Sequence, residues 1–109
     1  MDKKYFALKL NPPRATFFND ITEEEMAVMK RHSAYWHELM KHGKVVVFGP
    51  ILDPNAAYGF GVVAVESEDE VKILMANDPA NGLGSYEYYP MLAVVPTPVS
   101  QDATNFESD

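Results

Sequence analysis

With 109 residues, 47% of them hydrophobic and 12% aromatic, the chain fits one folded domain rather than a disordered segment. A formal charge of -7, with nine basic residues interleaved among sixteen acids, excludes an extended phosphate-binding surface, so nucleic acid is not an expected partner. The lack of cysteine excludes disulfides, thiolate catalysis, iron-sulfur clusters and thiolate zinc sites, which leaves any chemistry to oxygen and imidazole groups.

The N-terminal Met1-Asp2-Lys3-Lys4 leads straight into strand-like sequence without an apolar signal core, and cytoplasmic residence is the resulting expectation. Apolar runs such as Val45 to Phe48 are too short to cross a bilayer, so no membrane association is expected. Lys4 to Leu10 predicts a first strand with Phe6, Leu8 and Leu10 on one face, ended by Asn11-Pro12-Pro13. Arg14 to Asp20 reads as a connecting loop. Thr22-Glu23-Glu24-Glu25 is a capping box with acids at the positive end of a helix that runs to His42 and stops at Gly43.

Lys44 to Phe48 hardly alternates, which predicts a second strand covered on both faces and closed by Gly49-Pro50. Tyr58 to Glu66 predicts a third strand, with Gly59 and Gly61 on one side inviting close approach by a neighbour. Ser67-Glu68-Asp69-Glu70 is a second capping box, opening a short helix through Val71, Leu74 and Met75 that stops at Asn77-Asp78-Pro79. Tyr86 to Val95 reads as a fourth strand, and Pro90 within it implies an edge position or a bulge. The β-α-β-β-α-β order predicts an α+β, ferredoxin-like domain over residues 1–96 with an antiparallel sheet, followed by a polar tail, 97–109. Both helices of such a fold cover one sheet face, and two copies packed sheet on sheet would cover the other, so a homodimer is expected.

Within the long helix, Met29, Trp36, Leu39 and Met40 lie three, four, seven and eight residues from His32 and share its face. The imidazole is thus aimed at the core, where its nitrogens need partners. Asp78, at the end of the second helix, is the best candidate, and the pair would form a general-base dyad with Asp78 fixing the imidazole tautomer. Two blander accounts fit the same residues: a core histidine satisfied by a carbonyl or water, and an Asn-Asp-Pro segment that merely stops a helix. Arg14 suits an anionic substrate through its bidentate fork, although exposed loop arginines are commonly just solvated. Gly49-Pro50 either terminates a strand or lets a ligand approach the backbone. His32, His37 and His42 are five apart, unlike the four-residue spacing of a helical metal pair, and no metal is expected. Met26, Met29, Met40 and Met75 follow helical spacing and are expected to fill core around Trp36. Neither a phosphate-cradling glycine loop nor a nucleophile elbow is present, so no cofactor is expected.

A histidine followed by Tyr35-Trp36 and Leu39, then Gly43-Lys44-Val45, Gly49-Pro50 and Asp78-Pro79, resembles the YCII-related (YciI-like) family over nearly the whole domain. Pro13-Arg14, Thr22-Glu23-Glu24-Glu25, Gly59-Phe60-Gly61 and Tyr86-Glu87 to Pro90-Met91 resemble its members with a longer first loop. The resemblance implies a dimeric α+β barrel related to muconolactone isomerase, with a histidine-aspartate pair, here His32 and Asp78, at the active site. One branch of the family is similar to a dehydrochlorinase of a chlorinated hydroxyquinol. The chain departs from the common pattern at Ala80-Asn81-Gly82, where a bulky residue usually follows Asp-Pro.

These observations predict a cofactor-free lyase or isomerase in which His32 and Asp78 are catalytic and Arg14, Trp36, Gly49 and Pro50 contact a small, aromatic or enolisable substrate. The alternatives are a non-catalytic small-molecule binding or accessory domain, and a cofactor-free monooxygenase of the same barrel type.

Overall fold

The computed structural model describes residues 3–96. Its elements are β1 (Lys4–Asn11), α1 (Phe17–Asp20), α2 (Glu23–Lys41), β2 (Val45–Ile51), β3 (Tyr58–Val65), α3 (Glu68–Asn77) and β4 (Ser85–Met91). All pairings are antiparallel, in the order β2-β3-β1-β4, so the two central strands are β1 and β3. This is the ferredoxin-like α+β arrangement. The tail proposed for 97–109 lies outside the described residues.

Sequence periodicity builds one layered core. Phe6, Leu8, Val63 and Val65 alternate toward the helices, and Val45, Trp36, Val71 and Leu74 close over them. The long helix starts as the capping box requires: Thr22 Oγ1 accepts the Glu25 N–H at 3.1 Å, and the Glu25 carboxylate accepts the Thr22 N–H at 2.9 Å. Such a cap stabilises a helix by roughly 1 kcal/mol. Past its end, Gly43 takes φ +77°, the left-handed conformation that glycine enters without strain. Gly61 serves packing instead. A Cβ there would stand 2.6 Å from Trp36 Cζ3, so the bare backbone of β3 is what lets the indole lie on the sheet.

Several details depart from the sequence expectations. The loop from Arg14 to Asp20 contains the single turn α1, because the N–H groups of Asn19 and Asp20 both reach the Thr16 carbonyl and Phe17 is buried at 1% exposure. β2 extends through Gly49-Pro50 and is an edge strand, with Val46 and Val47 exposed rather than covered on both faces. A register shift between Val45 and Val47 breaks the alternation there, and the edge position tolerates Pro50. β4 is the opposite edge, as Pro90 suggested, but it ends at Met91 because its last partner is Tyr5, near the start of β1. Met26 and Met40 are exposed at the margins of the α2 stripe; a step of eight residues from His32 turns Met40 roughly 80° away. At α3, Ser67 caps the Glu70 N–H at 3.2 Å, yet the Glu70 carboxylate turns to the Glu66 N–H and to Lys44, so the box is one-sided.

The sheet face away from the helices pairs Tyr5, Ala7 and Lys9 of β1 with Ala64, Val62 and Phe60 of β3. Among the described residues, no helix is long and apolar enough to cross a membrane.

Candidate active site

The site lies where α2, the end of α3 and the start of β4 meet. Pro79 forces the residue before it out of helical conformation, and Asp78 takes φ -70°, ψ 129°. Its carboxylate folds back onto its own turn, accepting the Ala80 N–H at Oδ1, 2.8 Å away. This anchors a charge at the helix end, directed at α2.

Asp78 is 3% exposed and is the one buried charged side chain among the described residues. Four groups donate to it. His32 Nδ1 lies 2.9 and 2.8 Å from its two oxygens, and Trp36 Nε1 donates to Oδ2 at 2.9 Å. The Tyr86 hydroxyl also donates to Oδ2, and the Ala80 N–H completes the set. A carboxylate offers about four lone-pair positions, so the group is filled. Indole and backbone N–H groups can only donate, and four donors converging on one carboxyl favour its ionised, acceptor-only form. Burial pushes its pKa up, but the hydrogen bonds from His32, Tyr86, Ala80 and Trp36 outweigh this and hold it below the ordinary carboxylate range. Burial, followed by the neighbouring Asp78, pushes the Tyr86 phenol far above its usual value.

Toward an ionised acceptor, His32 Nδ1 must carry its proton. Nε2 then keeps a lone pair in the neutral ring, and it has no hydrogen-bond partner among the described residues. The His32 side chain is 15% exposed and lines a cavity of about 210 Å³. The cavity runs between α1, α2 and the sheet, walled by Phe17, Phe18, Met29, Trp36, Phe48 and Tyr86, with Gly49 and Pro50 at its β2 side. Its polar lining is sparse, His32 with Ser33 and Asn11, and among the described residues no lysine, arginine or carboxylate lines it.

Of the residues singled out in the sequence, His32, Asp78 and Trp36 form one hydrogen-bonded group, and Gly49 and Pro50 lie on the wall of the same cavity. Arg14 does not line it. Its guanidinium grips Glu25 through Nη1 and Nη2, both at 2.8 Å, and Asp20 through Nε at 2.8 Å. An arginine with its fork so engaged braces α1 against the start of α2 and is not offered to an anionic substrate. Tyr86 was not anticipated as a partner of Asp78, since a tyrosine within an aromatic strand carries no local signal of its own. Phe17 and Phe18 lay in a segment read as loop.

The Arg14 brace has an acid signature. Hydrogen bonding to Arg14 and to the Thr22 N–H lowers the Glu25 pKa from 4.5 to about 2. A carboxyl depressed on folding adds stability that is fully present above the unfolded value and lost as pH falls through the folded one. The contribution is therefore expected to fade between pH 4.5 and about 2. In that window the melting temperature of Glu25→Gln should fall less than that of the wild type; equal falls would show that solvent screens the pair completely.

The sequence profile of the YCII-related domain matches residues 4–94. The chain belongs to the YCII-related family. No curated protein matches its sequence. Among solved structures, this YCII-related chain is similar to 5-chloro-2-hydroxyhydroquinone dehydrochlorinase from Burkholderia phenoliruptrix AC1100, in complex with 2,5-dihydroxybenzoquinone. The TM-score is 0.57 and the identity 23%, over 77% of this chain and 90% of that one. It is also similar to an uncharacterized protein from Thermotoga maritima, with TM-score 0.52 and 12% identity over 83% and 99% of the two chains. At these identities the likeness establishes a shared fold.

Proposed function

We propose that this YCII-related protein is a cofactor-free enzyme of the lyase or isomerase kind, in which His32 removes a proton from a small uncharged substrate. The observation that carries this reading is the filled Asp78 carboxylate, which commits His32 Nδ1 to donation and leaves Nε2 as the basic atom of an apolar cavity. Nε2 takes the proton, the C–H or O–H electron pair passes into a carbonyl or ring of the substrate, and the imidazolium formed is stabilised by Asp78. Return of the proton at another atom gives isomerisation; departure of a leaving group with its electron pair gives elimination. The dehydrochlorinase among the structural neighbours is an enzyme on this fold.

The walls favour one ligand class. An apolar cavity of about 150 Å³ suffices to hold benzene, so the present one accommodates a single substituted ring. With the Arg14 fork engaged elsewhere and no cation in the wall among the described residues, a carboxylate ligand would lose its hydration without a counter-charge. The ligand class is therefore neutral phenols, quinols and enolisable cyclic ketones, with the ring against the wall that Trp36 and Phe48 form together and with Gly49 and Pro50 beside it. The uncovered sheet face, where Val47, Tyr89 and Met91 are exposed, would pair two copies into a homodimer, and the protein would act in the cytoplasm.

The test is a panel of neutral rings and their carboxylate counterparts. A neutral ligand at a hundredfold excess over its Kd stabilises the fold by about 2.7 kcal/mol, which a thermal shift detects readily. The reading expects shifts from the neutral members only, followed by turnover of at least one of them. A preference for the carboxylates would contradict it, and binding without turnover across the panel would favour an accessory binding domain.

A further inference from the structure

Tyr86 enters the site from β4, the element farthest from His32 in sequence among those that meet there. It pairs with Leu10 of β1, which turns its ring to the helix side of the sheet, and there its hydroxyl donates to Asp78 Oδ2. The same oxygen accepts from Trp36 Nε1 and His32 Nδ1. Three donors thus share one oxygen, and what one withdraws of its charge the others lose. A phenylalanine would fill the same space in this aromatic wall, so packing does not account for the hydroxyl.

On the reading of His32 as the base, we propose that Tyr86 is a positioning residue that sets the strength of that base through Asp78, by drawing carboxylate charge away from the imidazole. Without the hydroxyl, Asp78 would present more of its charge to His32, hold the imidazolium more firmly and leave less free base near neutral pH. Among the described residues, the surroundings offer no competing control. The titratable groups facing His32 are Asp78 at the end of α3, Tyr86 on β4 and, on its own helix, Tyr35, whose hydroxyl is bound to the Leu74 carbonyl at 2.7 Å. Among the described residues, α1, β1, β2 and β3 contribute no charged side chain to the cavity.

The test needs no substrate. Diethyl pyrocarbonate acylates neutral imidazole nitrogen, so labelling of His32, read by peptide mass spectrometry across pH, reports its free base, with the exposed His37 and His42 as references. In Tyr86→Phe the labelling of His32 at a fixed pH just below neutral should be roughly threefold slower, with that of His37 and His42 unchanged. Replacing Tyr86 with 3-fluorotyrosine, a stronger donor of nearly unchanged shape, should speed the labelling of His32, and it serves as the probe should the phenylalanine variant not fold. His32 labelling at the wild-type rate in both variants would overturn the role of Tyr86 and leave the base intact. Failure of His32 to label at any pH in the wild type would sink the base itself, and the role of Tyr86 with it.

Discussion

Asp78→Ala is expected to destabilise the protein by about 3 to 5 kcal/mol, the range for removing one partner of a buried charged pair. The size follows from the number of groups stranded. Trp36 Nε1, the Tyr86 hydroxyl, the Ala80 N–H and His32 Nδ1 all donate to this carboxylate, at a site that is 3% exposed. Each unsatisfied donor costs about 1 to 3 kcal/mol, partly recovered if water enters from the cavity. Against a typical total of roughly 5 to 15 kcal/mol, the loss consumes much of the stability of the fold. Asp78→Asn should cost less, since one acceptor oxygen and the side-chain volume remain while the amide hydrogens oppose the donors. Urea denaturation of the three proteins checks the order. A loss below about 1 kcal/mol for Asp78→Ala would mean that the donors find other partners and that Asp78 does not hold the site together.

The second large effect is catalytic. His32→Gln should reduce kcat/KM about 100- to 10,000-fold on whichever neutral ring the panel identifies, the usual contribution of a general base. Glutamine suits the test because its amide can still donate to Asp78 and fills much of the imidazole volume, so stability should change by no more than about 1 kcal/mol. With the cavity walls unchanged, the loss should fall on kcat and leave KM nearly unmoved. Turnover within tenfold of the wild type would remove His32 from the chemistry.

Much of this was legible before any coordinates, for physical reasons that differ by residue. The capping box at Thr22, the left-handed Gly43 and the stop at Pro79 are local signals, and local signals survive folding. The closeness of His32 and Asp78 is not local. It could be anticipated only because a polar ring on an apolar stripe needs a partner and because the ferredoxin-like topology brings both helices to one face. Where a fate depends on the sheet, sequence fell short. The valines of β2 looked doubly covered, yet the strand lies at an edge and is bulged, and strand order is written in no single segment. Arg14 looked free because its grip on Glu25 depends on a turn at Phe17–Asp20 that a loop-like composition conceals. Tyr86 reaches Asp78 through β-sheet register, set by its pairing with Leu10.

The central claim is that Asp78 holds the proton of His32 on Nδ1 and leaves Nε2 bare. A two-bond nitrogen-proton correlation spectrum of the histidine-labelled protein, with the ring neutral, reads this directly, because protonated and bare ring nitrogens differ widely in shift. The account predicts an Nδ1–H tautomer for His32, with Nε2 in the bare range. A proton found on Nε2 would contradict it and make His32 a donor into the cavity instead of its base.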